Sequence, residues 1–435
     1  MVKTNQFEHK KGLKKLLIVT PHFPPINAAD IHRVRHSLPY FEAYGYHPIV
    51  LTVLPEFVDM GEDALLERTI PDDISIHRVR AYTTNYGGFK IGNLGLRAFY
   101  QLYEKGNELL KSGDFDLIYF STTVFACMPL GRLWKKKFKV PFVIDMQDPW
   151  KNDYYLKVPY NQRPPKFWFS HRLNTYLERY TIPKVDGLLS VSKGYIDTLK
   201  HRYPKIHDLP SKVLTFGASE KDFELLRQLE VKTSIALKKE QINIVSVGRG
   251  GQDLRESVSL LLNSFKKGLE DNEHYKNCHF WFIGTSYAPD GKGKKTIDNI
   301  AVDLGIGSYV TEITNRQPYF EALSLLEQSD IIFIPGSSDK NYTPSKLYPD
   351  ILAKKPMLCV LHSNSNVVNI MQSLNCGKVV LFDQADALKH CRTSLSELLE
   401  TIPFVPNTSW EHFQLFTAEH MTKVQCDFFD KVLQS

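Results

Sequence analysis

Short apolar runs alternate with longer amphipathic stretches along the whole chain, and this alternation constrains the fold more than any other feature. Most of the runs are too compact for a helix, and Pro, Gly or Asp bounds them. A parallel sheet with helices on both faces produces this pattern, because its buried strands are apolar throughout and each is followed by a crossover helix. We therefore predict an α/β protein with doubly wound parallel sheets.

The predicted strands form two sets. The first set comprises residues 16–20, 48–53, 117–121, 142–145, 187–191 and 212–216. The second set comprises residues 242–248, 279–284, 310–312, 331–335, 357–361 and 378–381. A polar, charged stretch, 220–241, separates them, and the final stretch 410–433 has helical spacing with no strand after it. We predict two Rossmann-like domains, residues 1–228 and 229–408, and a terminal helix within 409–435.

Length and charge limit the function classes. A chain of 435 residues holds two or three domains. Its 54 Lys and Arg residues exceed the 48 Asp and Glu residues by only six, which suits a phosphate or lipid surface better than nucleic acid. Six widely spaced cysteines without metal-ligand spacing indicate a reducing compartment. No apolar run reaches membrane-spanning or signal-peptide length, so we expect a cytoplasmic protein.

A segment after the run 331–335 has the composition of an anion site. It contains Tyr342, Thr343, Pro344, Ser345, Lys346 and Leu347. Thr343 or Ser345 can cap a helix, Pro344 suits its first turn, and Lys346 adds a cation where free backbone N–H groups point outward. A capped helix with a solvated lysine explains the segment equally well.

Three further turns follow predicted strands. Gly248, Arg249 and Gly250 could let a phosphate approach the backbone, although a plain tight turn is about as probable. The turn after the first strand carries Asn27 and Ala28, with Arg33 behind it, and either faces a ligand or forms a solvated surface. Asp145 and Asp148 end another strand, where Asp148 either faces a ligand or caps the next segment.

Aromatic and basic residues are interleaved in residues 150–180, and a second basic run with a tryptophan occupies 132–139. Such mixtures occur at membrane surfaces, but aromatic residues are more often core residues. The motifs GxSxG and HExxH and the Walker loop are absent from the sequence, so we do not expect a hydrolase of those types.

The order of these pieces resembles glycosyltransferases of the GT-B fold, of the retaining family-four type. The matching first-half residues are 17–20, 23–25, Arg33, Leu38, 44–52, 116–119, 140–145, Asp148, 185–192 and 216–219. The matching second-half residues are 247–249, 282–284, 318–323, 329–330, 344–348 and 355–356. The resemblance implies two domains facing a cleft, the first for the acceptor and the second for a nucleotide-sugar donor, with the terminal helix returning to the first domain.

The resemblance also implies site residues. Catalytic roles fall on Arg249, Lys346 and Asp148. Donor binding falls on Gly248, Gly250, Gly284, Arg316, Tyr342, Thr343, Pro344, Ser345, Leu347 and Asp350, and acceptor binding on Asn27, Ala28, Arg33 and Ser121. Lys346, Arg249 and backbone N–H groups would stabilise the leaving diphosphate, so we expect neither a metal ion nor a cofactor.

Two departures from the family pattern keep other functions open. Glutamates that hold the ribose and lie near the transferred sugar are replaced here by Pro349 and Asn341, with Asp350 and Asp339 the nearest acids. We predict a hexosyltransferase for a glycan or lipid-linked acceptor, as in polysaccharide or glycolipid synthesis, at the inner face of the membrane. The alternatives are a sugar-nucleotide epimerase and a non-catalytic protein that binds a nucleotide sugar or a partner.

Overall fold

The computed structural model describes residues 12–86, 89–90, 92–151, 153–156, 159–160, 163, 166–286, 288, 291–338 and 346–435. The chain divides into two compact units. The first comprises Met1–Gly217 and Ala418–Ser435, and the second comprises Ala218–Thr417. The helix Glu220–Leu229, most of which lies before the predicted boundary at residue 228, belongs to the second unit.

The first unit is a doubly wound sheet. Its strands are β1 (Lys14–Val19), β2 (Tyr46–Val53), β3 (Ser75–Val79), β4 (Asn85–Tyr86), β5 (Phe89–Lys90), β6 (Leu117–Ser121), β7 (Phe142–Met146), β8 (Gly187–Ser190) and β9 (Ser211–Val213). Seven of them pair in parallel in the order β3-β2-β1-β6-β7-β8-β9, and β4 and β5 form an antiparallel hairpin. The helices before β9 are α1 (Ile31–Ser37), α2 (Leu94–Arg97), α3 (Phe99–Ser112), α4 (Pro129–Phe138), α5 (Phe167–Thr181) and α6 (Lys193–Arg202).

The second unit is a parallel sheet of six strands. These are β10 (Ile242–Val247), β11 (Cys278–Ile283), β12 (Val310–Ile313), β13 (Ile331–Pro335), β14 (Met357–Leu361) and β15 (Lys378–Leu381), in the order β12-β11-β10-β13-β14-β15. Its helices are α7 (Glu220–Leu229), α8 (Arg255–Asp271), α9 (Asp298–Asp303), α10 (Tyr319–Gln328), α11 (Leu347–Leu352), α12 (Asn366–Leu374), α13 (Ala387–Thr401) and α14 (Trp410–Phe413). Side chains of α8 and α13, among them Leu261 and Leu395, pack against the sheet in one apolar core.

All twelve predicted strands are present, which confirms the predicted α/β fold class. The prediction missed the two short hairpin strands, β4 and β5, and the edge strand β3. The residues of β3 other than Val79 are only half-buried, so this strand lacks a continuous apolar run. In the part of the chain that the structure describes, no helix is long and apolar enough to cross a membrane.

The terminal helix is broken where the prediction had one continuous element. After α14, a 3₁₀ turn (Gln414–Phe416) leads to Thr417, whose extended backbone bridges Ala218, and α15 (Ala418–Leu433) begins afterwards. Phe428 and Phe429 of α15 pack into the core of the first unit. Asp430 of the same helix accepts hydrogen bonds from Lys14 Nζ at 2.6 Å and from the Tyr46 hydroxyl at 2.5 Å. The last helix of the chain therefore belongs to the first unit.

Candidate functional site

Predicted donor residues of the second unit lie near the point between β10 and β13 where the strand order of its sheet reverses. From β10 the chain winds through β11 to β12 on one side, and from β13 it winds through β14 to β15 on the other. Open α/β sheets bind ligands outside the carboxyl ends of the strands at such a point. Gly248 follows β10 directly, and Lys346, which comes between β13 and α11 in the sequence, immediately precedes α11.

Lys346 lies against the turn that follows β10. A Cβ atom built on Gly248 would stand 3.0 Å from Lys346 Cδ and 3.4 Å from its Nζ. The same Nζ donates a 3.4 Å hydrogen bond to Ser246 Oγ. Burial lowers the pKa of Lys346, opposed by the negative charge of Asp350 and assisted by the positive charge of Arg249. The structure thus brings together three predicted site residues, Gly248, Arg249 and Lys346.

The Arg249 guanidinium is held by an acid that the sequence analysis did not single out. Arg249 Nη1 and Nη2 donate to the two carboxylate oxygens of Asp253 at 2.8 Å and 2.7 Å. Asp253 also accepts from Ser337 Oγ at 2.7 Å, and its backbone carbonyl accepts from Ser338 N–H at 2.8 Å. The hydrogen bond from Arg249 lowers the pKa of Asp253 more than any other interaction. Asp253 therefore links the turn after β10 to the loop after β13.

Gly250 and Gly284 each lie close to the backbone of another segment, Gly250 to Thr285 and Gly284 to Arg316. The Gly250 N–H donates to Thr285 O at 2.8 Å, and a Cβ on Gly250 would stand 3.1 Å from Thr285 Cβ. Gly284 has a φ of +76°, and a Cβ there would contact the backbone of Arg316 at 3.8 Å. Gly284 and Arg316, both predicted donor residues, are therefore neighbours.

Other predicted donor residues are buried or lie outside the described part of the chain. Leu347 and Asp350 are buried in α11. Burial raises the pKa of the Asp350 carboxyl, and the charge of Lys346 opposes this shift. Within the described residues, Asp350 Oδ1 has no hydrogen-bond partner. Tyr342, Thr343, Pro344 and Ser345 lie outside the described residues, as do Asp339 and Asn341.

In the first unit, Arg33 is buried, and its guanidinium is hydrogen-bonded within the protein. It therefore fits neither of the two expectations for this turn, a ligand-facing arginine or a solvated one. Its Nε donates to Asp145 Oδ2 at 2.9 Å, and its Nη1 and Nη2 donate to the carbonyls of Thr215 and Leu214 at 2.5 Å. Ser121 Oγ donates to the same Asp145 oxygen at 3.0 Å. Two predicted acceptor residues thus meet at a buried carboxylate, because α1 and β6 both pack beside the end of β7.

A second carboxylate, Asp30, lies beside the end of β6. It accepts from Thr122 Oγ1, Thr123 N–H and Thr123 Oγ1 at 2.9–3.0 Å, and it contacts His22 Nδ1 at 3.0 Å. Desolvation and the charge of Asp30 raise the pKa of Asp148, which remains exposed. His22 and Asp30 are not among the predicted site residues, and their position shortly after the first strand is the one sequence signal that points to them.

Asn27 and Ala28, the remaining acceptor predictions, are both buried in the turn between β1 and α1. The Asn27 N–H donates to Gly61 O at 2.8 Å. This contact ties the turn to the loop before Asp63, whose N–H donates to Pro25 O at 2.7 Å. These two hydrogen bonds hold the turn that carries His22.

Some aromatic residues of the two aromatic and basic stretches, 132–139 and 150–180, are buried in the core, and others are exposed on the surface. Trp134 of α4 and Trp150 are buried, as the core alternative expected. Trp168, Phe169 and Tyr176 of α5 are 47%, 68% and 66% exposed. No group of three or more His, Cys, Asp or Glu side chains could hold a metal ion within the residues that the structure covers.

The chain resembles solved glycosyltransferases along nearly its whole length. Sucrose-phosphate synthase from Thermosynechococcus elongatus is 14% identical with a TM-score of 0.59, and the match covers 97% of this chain and 99% of that chain. HepE from Anabaena, in complex with UDP and glucose, is 14% identical with a TM-score of 0.59, covering 96% and 100%. WaaG, a glycosyltransferase involved in lipopolysaccharide biosynthesis, is 16% identical with a TM-score of 0.53, covering 96% and 98%.

The likeness lies in the structure, because no protein-family model and no curated protein matches the sequence. At these identities the similarity concerns the fold. Together with the two parallel sheets, it confirms the predicted fold: the chain has the GT-B fold of these glycosyltransferases.

Proposed function

We propose that this protein is a glycosyltransferase that moves a sugar from a nucleoside-diphosphate sugar to a hydroxyl acceptor. The observation that carries the proposal is the position of Lys346 against Gly248, next to Arg249, at the switch point of the second sheet. A cation over a glycine turn suits a diphosphate, because a phosphate can approach the backbone and the charge stabilises the leaving group. The HepE complex, which contains UDP and glucose, supports this substrate class.

In this proposal the second unit binds the donor. Lys346 and Arg249 contact the diphosphate, Gly248 and Gly250 leave room for it, and Gly284 with Arg316 lies beside the nucleoside. Asp253 presents the Arg249 guanidinium in one orientation. Tyr342, Thr343 and Ser345 supply backbone N–H groups in this scheme, whereas Pro344 has none to donate. Retention of the anomeric configuration, a hexose as the transferred sugar and independence of a metal ion remain predictions from the resemblance.

The acceptor is proposed to be a glycan or a lipid-linked sugar that binds the first unit. A trehalose-phosphate synthase from Burkholderia xenovorans with a similar fold holds glucose-6-phosphate, and WaaG acts in lipopolysaccharide biosynthesis. Both proteins are compatible with a sugar-bearing acceptor for this chain. Asp148 is exposed and could contact such an acceptor, whereas Arg33 and Ser121 are buried and would act by holding Asp145.

We further propose that α5 contacts an anionic membrane surface from the cytoplasmic side. Trp168, Arg172, Tyr176 and Arg179 recur at helical spacing along one face, and all four are exposed. Arg163 stacks its guanidinium 5.3 Å from the centre of the Trp168 ring. Aromatic rings with cationic neighbours suit the headgroup region of an anionic bilayer.

A non-catalytic binding protein remains the second candidate, because Asp350 is buried and Pro349 stands at the ribose-binding position. A sugar-nucleotide epimerase would use acid/base carboxylates and histidines, and the sequence supplies no obvious acid cluster for it. The variant Pro349→Glu distinguishes the glycosyltransferase from the non-catalytic binding protein. A large gain in transfer indicates a decayed enzyme, and unchanged robust transfer indicates that other groups hold the ribose.

A donor panel tests the main proposal. Purified protein is titrated with nucleoside-diphosphate sugars by calorimetry, alongside Lys346→Ala and the control Lys266→Ala, an exposed lysine of α8. We expect one donor to bind, Lys346→Ala to weaken it at least tenfold, and the control to leave it unchanged. Absence of binding by every donor, or equal affinity in Lys346→Ala, would contradict the donor site.

A further inference from the structure

A buried glutamate lies in β12, the edge strand of the second sheet, on the face that α9 covers. The strand alternates buried and half-buried residues, and Val310 and Glu312 are the buried ones. Val310 packs in the same apolar core as Ile297 and Ile300. Glu312 is only 3% exposed. Because a carboxylate loses its hydration on burial, its hydrogen-bond partners must replace that hydration.

The partners of Glu312 come from two segments of the second unit. Its Oε1 accepts from Thr285 Oγ1 at 2.7 Å and from the Thr296 N–H at 3.1 Å. Its Oε2 accepts from the N–H groups of Ile297 and Asp298 at 2.8 Å and 2.9 Å. The backbone donors lie at the start of α9, whose own N-cap side chain makes no capping hydrogen bond. Glu312 therefore caps α9 from a neighbouring strand and holds one hydroxyl besides.

That hydroxyl belongs to a residue that connects the ends of three strands. Thr285 comes shortly after β11, and its N–H donates to the carbonyl of Ile313, the last residue of β12, at 3.3 Å. Its own carbonyl accepts from the Gly250 N–H, in the turn after β10, at 2.8 Å. Gly284, which the proposed function places beside the nucleoside, directly precedes Thr285. The position of Thr285 thus affects both the diphosphate turn and the nucleoside loop.

We propose that Glu312 is a positioning residue for the nucleoside-diphosphate part of the donor. The inference rests on the proposed function and concerns the second unit alone. Glu312 acts without touching the donor: it holds the Thr285 hydroxyl, and Thr285 holds the Gly250 turn in one conformation. Affinity gains because these groups are ordered before the donor arrives, so that binding does not carry the free-energy cost of ordering them.

A glutamate that only stabilised α9 would leave donor binding unaffected, and Asp330 is the matched control for that role. Its Oδ2 accepts from the Asn243 N–H at 2.7 Å and from Asn243 Nδ2 at 3.3 Å. Asp330 immediately precedes β13, and Asn243 is the second residue of β10. Asp330→Asn therefore removes a carboxylate that holds the backbone of the same sheet at the amino-terminal ends of its strands.

The test is calorimetric titration of Glu312→Gln and Asp330→Asn with the diphosphates of uridine, adenosine, guanosine, cytidine and thymidine. An amide group has one accepting atom, so Glu312→Gln leaves an NH₂ group facing backbone N–H groups. For the diphosphate that binds wild type, we expect Glu312→Gln to raise Kd about tenfold and Asp330→Asn to change it by less than about twofold. Both variants should lower the urea unfolding midpoint.

Steady-state kinetics add a readout that a loss of stability alone does not move. Glu312→Gln should raise the KM for the donor by about the same factor as Kd and leave kcat within about twofold. The reason is that Glu312 strengthens binding of the donor equally in the ground state and the transition state.

Thr285→Val keeps the inference testable if Glu312→Gln does not fold. Valine has the shape of threonine without the hydroxyl, so this variant removes the link to Glu312 and leaves the hydrogen bonds to the start of α9 in place. We expect its Kd to rise about fivefold. Thr285→Ser, which retains a hydroxyl, should recover most of that affinity.

Two results would overturn the inference and leave the proposed function intact. One is wild-type affinity in folded Glu312→Gln and Thr285→Val, and the other is an equal loss of affinity in Glu312→Gln and Asp330→Asn. A wild-type protein that binds none of these diphosphates would instead contradict the proposed function itself, before any variant is compared.

Discussion

Gly248 leaves the space that the Lys346 side chain occupies: a Cβ on the glycine would lie 3.0 Å from Lys346 Cδ. Gly248 also has a φ of +133°, a backbone conformation that side chains disfavour. We predict that Gly248→Ala displaces Lys346 and raises the dissociation constant for the donor at least tenfold, or about 1.4 kcal/mol. Calorimetric titration with the donor measures this.

Gly305→Ala is the control for backbone strain alone. Gly305 has a φ of +74° in the same unit, but a Cβ there would meet nothing within 4 Å. Its replacement should cost about 1 kcal/mol of unfolding free energy and leave donor affinity within twofold. Equal losses of affinity in both variants would show that the Gly248 effect is strain and not contact with Lys346.

The Arg249–Asp253 pair gives a second prediction. Asp253→Asn removes the two-oxygen acceptor that orients the guanidinium, so donor affinity should fall about tenfold. The unfolding free energy should change by less than about 1 kcal/mol, because the pair is partly exposed. Asp298→Asn, which removes the half-buried partner of the exposed Lys295, should alter neither quantity measurably. A loss of stability without a loss of affinity in Asp253→Asn would assign Asp253 a purely structural role.

The sequence predicts the positions of most strands, but it predicts only some of the residues at the candidate site. Apolar runs predict strands because burial on both faces requires them, and β3 escaped because a half-exposed edge strand carries no such run. The glycine turns and Lys346 could be selected as candidates from the sequence, because strand ends and local motifs indicate them. Asp253 and Asp30 could not be selected in this way. The contact of Asp253 with Arg249 and that of Asp30 with Thr122 of another strand end form only when the chain folds.

The exposed aromatic residues of α5 predict lipid binding. The double variant Trp168→Ser, Phe169→Ser should reduce flotation with anionic phosphatidylglycerol vesicles by about tenfold. Both substitutions remove an exposed apolar ring that the headgroup region would bury. Tyr100→Ser removes an aromatic side chain that is 58% exposed on α3 and should have no effect. Equal flotation of all three proteins, or none for wild type at low salt, would contradict membrane contact by α5.

Asp30 predicts how stability depends on pH. Its pKa in the folded protein is about 2, below its ordinary value of 3.8, so the unfolded chain binds its proton first as the pH falls. The carboxylate therefore contributes stability above pH 3.8, and this contribution is lost as the pH falls toward 2. The shift corresponds to about 2 kcal/mol at neutral pH. Urea unfolding should show Asp30→Asn to be less stable by about that amount at pH 7, with the difference shrinking between pH 4 and pH 2. A constant difference over this range would mean that Asp30 stabilises the fold by packing rather than by charge.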